Sequence, residues 1–91
     1  MIAFAAANRM VLKKPVVFQS EGFRFFFYSN DHEPIHIHFR KGDGEAVFFV
    51  SEHVDLRESQ GLKLKELTRA QELAEHHKQI IIQKWHEHLG R

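Results

Sequence analysis

The chain has no cysteine, which excludes disulfides and thiolate metal sites and fits a reducing compartment. Long apolar runs are missing as well. Nothing approaches the roughly 18 apolar residues of a membrane span, and the apolar start, Met1 to Ala7, is short and lacks the preceding basic stretch of a secretion signal. Nor is there an excess of one charge. Thirteen basic and twelve acidic side chains leave a formal net charge of +1, which excludes a dedicated nucleic-acid coat and confines any basic surface to a local patch. These absences lead to the expectation of a soluble, cytoplasmic protein.

What the chain does have is aromatic and imidazole side chains: nine Phe, one Trp and eight His in 91 residues. A chain this short makes one domain, residues 1–91, and buries only about 60% of its unfolded surface. The phenylalanines and Trp85 are the means of filling so small a core. Residues 1–14 read as a flexible or strand-like extension, with Met10 as an alternative start to Met1.

Period-two segments come first. Strands are expected over 16–19, 23–28, 35–40 and 45–50, and 51–63 reads as a charged connection broken at Gly61. Along 23–28, Phe23, Phe25 and Phe27 point one way and Arg24, Phe26 and Tyr28 the other. In 35–40, Ile35, Ile37 and Phe39 alternate with His36, His38 and Arg40. The Lys41-Gly42-Asp43-Gly44 stretch reads as a hairpin loop, which sets Arg40 opposite Glu45, His38 opposite Val47 and His36 opposite Phe49. The histidine face then also carries Val47, Phe49 and Phe26, so it is partly apolar and needs cover. From Leu64 the apolar spacing becomes helical, through Leu67, Ala70, Leu73, Ile81, Trp85 and Leu89. One helix over 64–89 would be nearly 40 Å long at 1.5 Å per residue, too long for this sheet, so two helices meeting near His76-His77 are expected. The class is α+β: a small antiparallel sheet of about four strands, then a helical region.

Three chemistries suit the histidine strand. Two imidazoles at i and i+2 project from one face about 6–7 Å apart; with His32 from the preceding loop, His36 and His38 make a candidate three-histidine site for a divalent metal such as zinc. Alternatively His36 and His38 act as catalytic acid and base. Arg24, Arg40 and Lys41, with Tyr28 to stack a base, would then grip a phosphate or single-stranded RNA. The bland readings are a polar sheet face and an Arg40–Glu45 cross-strand pair. The loop glycines are turn chemistry, since no phosphate-loop spacing is present. Trp85 reads as core or interface, and His53, His76, His77, His86 and His88 carry no catalytic assignment.

The run from Gly22-Phe23-Arg24-Phe25 through Glu33-Pro34-Ile35-His36-Ile37-His38 to Gly42-Asp43-Gly44-Glu45-Ala46, with the tail Trp85-His86-Glu87-His88-Leu89, resembles the bacterial domain-of-unknown-function family 4160. The resemblance spans about 16–90. It implies no settled activity. It does imply a gene context beside another small family of unknown function, number 2442, and so a toxin-like component with a cognate antitoxin-like partner. The functional expectations are therefore a toxin-like protein acting on RNA or another phosphate-bearing target, a protein-interaction or homo-oligomerising module, or a metal-binding domain.

Overall fold

The computed structural model describes residues 16–89; the expected extension over 1–14 and the two alternative starts lie outside them. Five strands, β1 (Val16–Ser20), β2 (Phe23–Phe26), β3 (His36–Lys41), β4 (Gly44–Val50) and β5 (Val54–Gln60), precede α1 (Leu64–His76) and α2 (Lys78–Leu89). The sheet is antiparallel throughout, in the order β1-β2-β3-β4-β5. The α+β class is thus as expected, with one strand more than the sequence reading gave.

That strand, β5, is the stretch read as a charged connection. Only Val54 is buried, and six of its seven residues are exposed, so hydrophobic patterning barely marks it. It is an edge strand, where charged side chains discourage pairing with other chains. Side chains of α1 tie its start: Gln71 Nε2 donates to the Val54 carbonyl at 2.9 Å, and the Val54 N–H donates to Glu75 Oε2 at 3.1 Å.

The β3–β4 hairpin has the anticipated register, with Arg40 opposite Glu45, His38 opposite Val47 and His36 opposite Phe49. Its loop is shorter than read, because Lys41 and Gly44 still pair and only Gly42-Asp43 turns. Gly42 alone bears the positive φ (58°), as a type II′ turn requires. Gly44 has no room for a side chain: a Cβ there would meet the Gly61 carbonyl at 2.6 Å.

One face of the sheet carries Phe23, Phe25, Phe27, Ile37, Phe39, Phe48 and Val50, and both helices pack on it through Ala70, Leu73, Ala74, Ile81 and Trp85. The expected alternation in β2 continues past its ladder, since Phe27 meets Trp85 edge-on at 5.5 Å and Tyr28 meets His38 at 4.5 Å. The helices divide at His77, as expected. Its N–H and its ring Nδ1 both approach the Leu73 carbonyl, at 3.0 and 2.8 Å, and its ring stacks on Phe18 at 4.1 Å. A side chain competing for an i−4 carbonyl bends a helix there. Among the described residues no helix is long and apolar enough to cross a membrane.

Candidate metal centre

The site begins with a turn. Ser29-Asn30 form the corner between Tyr28 and Asp31, closed by the Asp31 N–H donating to the Tyr28 carbonyl at 3.1 Å. Asp31 returns the bond with its side chain: Oδ2 accepts the Tyr28 N–H at 2.9 Å. Short polar residues favour such local side-chain-to-backbone bonds. The carboxylate is thereby fixed over the start of β3.

Both histidines of β3 turn onto it. His36 Nε2 lies 3.2 Å from Asp31 Oδ1, and His38 Nε2 lies 3.1 Å from each carboxylate oxygen. The imidazole rings are 5.0 Å apart, so the period-two geometry delivers them to one place. All three side chains are largely buried, with 9%, 7% and 15% exposure for Asp31, His36 and His38. His36 Nδ1 donates to the Pro34 carbonyl at 2.8 Å, in a loop whose Glu33–Pro34 peptide is cis. Its ring also rests 5.1 Å from Trp85.

This arrangement leaves a mismatch at His36. A carbonyl only accepts, so Nδ1 carries the proton, and a neutral His36 presents a bare Nε2 lone pair. That lone pair faces a carboxylate oxygen, which also only accepts. The contact is favourable only if a proton or a metal cation stands between them. Burial disfavours charge on Asp31, but the bonds from His36, His38 and the Tyr28 N–H outweigh it and hold the carboxyl well below the usual range. Burial likewise opposes charge on His36. The Asp31 carboxylate and the Pro34 carbonyl overcome that and raise its pKa, against a weaker lowering by Arg57.

Three donor atoms of Asp31, His36 and His38 lie within 4.8 Å of one another. Ligands about 2.0–2.1 Å from one ion stand roughly 3–3.4 Å apart, the spacing seen at Asp31. The expected third ligand, His32, is exposed on the loop; among the described residues the group that completes the cluster is Asp31, its sequence neighbour. An aspartate two residues ahead of Glu33-Pro34 and seven ahead of His38 is the signal that could have named it, but it reads equally as a turn residue.

Two clefts adjoin the cluster, and His38 lines the first. One, of about 350 Å³, is lined by Phe26, Tyr28, Val47, Glu45 and Glu58. The other, of about 510 Å³, opens over Asp31 and His36 and is lined also by Tyr28, Asn30, His32, Phe49 and Arg57. Arg57 was hidden from sequence reasoning because its strand was. Of the expected anion-binding residues, Tyr28 is at the centre. Arg24 and Arg40 do pair across β2 and β3, yet at the hairpin end of the face. There Arg40 Nη2 is 3.5 Å from Glu45, whereas Lys41 alternates onto the opposite, helix-covered face, its Nζ over the Phe23 ring and 3.7 Å from Glu66 of α1.

No curated protein and no solved structure gives a significant match to the chain. A family model does, across 22–86, the stretch that holds the whole cluster and most of the core around it. By that match the chain belongs to the domain of unknown function family DUF4160.

Proposed function

We propose that Asp31, His36 and His38 bind one divalent transition-metal ion, with its remaining coordination positions turned toward the cleft of Tyr28, Phe49 and Arg57. The observation that carries this reading is the orientation of His36. Its Nδ1–H is committed to a backbone carbonyl, the usual outer-shell partner of a metal-ligating imidazole, which leaves Nε2 as the ligand atom. Two imidazoles and one carboxylate suit zinc, iron(II), cobalt(II) and manganese(II). A metal held this way polarises an oxygen ligand or acidifies a bound water. Elemental analysis and calorimetric titration of protein purified without a histidine tag test the proposal. One equivalent of zinc or cobalt(II) per chain is expected, lost in His36→Ala and in Asp31→Asn. Wild-type protein that takes up no metal overturns it.

A second reading keeps protons in place of the metal. His36 and His38 would serve as acid and base toward a phosphate-bearing target such as RNA, in a toxin-like protein with a cognate partner. The specific observation favouring it is the Arg57 guanidinium lining the same cleft as His36. It requires that chelator-treated protein cleave RNA and that a His36→Ala, His38→Ala double variant fold but not cleave. Inactivity of the chelator-treated protein discards this reading.

A further inference from the structure

Arg57 sits where it does because β5 is irregular. Phe48 pairs with Leu56 and Val47 with Glu58, so Arg57 is the extra residue of a β-bulge. Bulges re-aim side chains, and they recur beside functional sites. Here the guanidinium carbon lies 5.7 Å from the Phe49 ring centroid, on the histidine side of the sheet. Its one ion pair among the described residues is with its own neighbour, Glu58, at a long 3.9 Å. Most of its donors are therefore uncommitted. The positive charge is close enough to be felt at His36.

We infer that the cleft between Arg57 and the Asp31–His36–His38 centre binds the phosphoryl group of a small phosphate monoester, its oxygens shared between the guanidinium and the cation at the centre. The inference rests on the metal reading for one of its two poles. A planar guanidinium gives two parallel hydrogen bonds to an oxyanion, and a metal with open positions takes another oxygen. The volume of about 510 Å³ falls within the range of small-molecule sites, roughly 300–1,000 Å³. Tyr28 and Phe49 supply apolar walls for the rest of the ester. Because Asp31 and Glu33 also line the cleft, an anion is repelled until the cation is present. Metal and phosphate must then strengthen one another's binding by the same factor.

Calorimetry separates the two poles. Cobalt(II) is titrated first, into wild type and Arg57→Gln, and loading within about twofold is expected for both. Inorganic phosphate and adenosine monophosphate are then titrated into the loaded proteins. Arg57→Gln should weaken both by about 10-fold or more, the scale of a hydrogen bond to a charged group, with Arg57→Lys intermediate. A nucleoside contribution appears as monophosphate binding tighter than inorganic phosphate; equal affinities assign the site to the phosphoryl group alone. Phosphate that ignores the loaded wild type, or binds it and Arg57→Gln alike, overturns the inference. If cobalt does not load, the metal reading fails by itself; phosphate is then titrated into metal-free protein at pH 6, where the same loss in Arg57→Gln supports the Arg57 pole and its absence overturns it.

Discussion

The two ends of the histidine face of the sheet both carry basic side chains beside carboxylates and differ in how those residues are satisfied. At the hairpin end, Arg24 and Arg40 gather, and the Arg40 guanidinium, one buried Nε aside, has a carboxylate partner and stands about 40% exposed. At the other end, Asp31, His36 and His38 are nearly enclosed, and the hydrogen-bonding capacity of His36 does not match what it faces. Exposed ion pairs contribute little and bind little else. A buried acceptor pointed at an acceptor demands a cation. A cluster of charged residues becomes a site through that unmet requirement, and residue type alone does not create it.

The largest effect is expected where both ends are broken together. Phe39 lies on β3 between them, is fully buried and packs on Phe23 and Phe25. Phe39→Ala should cost roughly 3–5 kcal/mol, read from urea unfolding, and both ends should lose their order with the sheet. Next is Asp31→Asn, which should weaken metal binding beyond the roughly 10–100-fold typical of losing an outer-shell partner. Calorimetry measures it, and the hairpin end should be unaffected.

A third expectation concerns pH in the metal-free protein. Asp31 is shifted down on folding, so its contribution is full above the ordinary carboxylate pKa of about 3.9 and is lost only as pH falls through the lower folded value. His36 is shifted up, so its contribution is full below the ordinary pKa of about 6.5 and is lost as pH rises through the higher folded value. Thermal stability should therefore be greatest at mildly acid pH and decline above neutrality. Added zinc should reverse that decline, because a metal replaces the proton that His36 loses. Melting curves between pH 4 and 9, with and without zinc, check this. The smallest effect is expected from Arg40→Gln, which removes an exposed pair: at most about 1 kcal/mol in stability and no change in metal or phosphate affinity. A phosphate defect in that variant would erase the distinction between the two ends.

Much of the scaffold was legible because period-two alternation and turn residues carry it. His36-Ile37-His38-Phe39-Arg40 faces as its spacing dictates, and the hairpin register follows from two glycines. The helix break at His77 followed from length alone, though the competing ring nitrogen that bends it could not be read. Strand β5 was not legible, since an exposed edge strand buries too little to show a hydrophobic period. With it went Arg57, whose direction depends on a bulge that only strand pairing defines. Asp31 closes a turn, as its residue type suits; the same side chain also reaches the histidines, because the turn places it above the strand that follows. His32, beside it, stays exposed at the rim of the same cleft and is not one of the clustered ligand atoms.

The most direct measurement is the ¹⁵N spectrum of the His36 ring during titration with zinc at pH 7.5, followed beside the fluorescence of Trp85, the single tryptophan of the chain, 5.1 Å from that ring. Nδ1 should keep its proton on the Pro34 carbonyl while Nε2 takes the shift of a metal-bound nitrogen, complete at one equivalent. A ring that stays protonated on both nitrogens and is indifferent to zinc would mean that a proton alone joins His36 to Asp31, and that no metal belongs there.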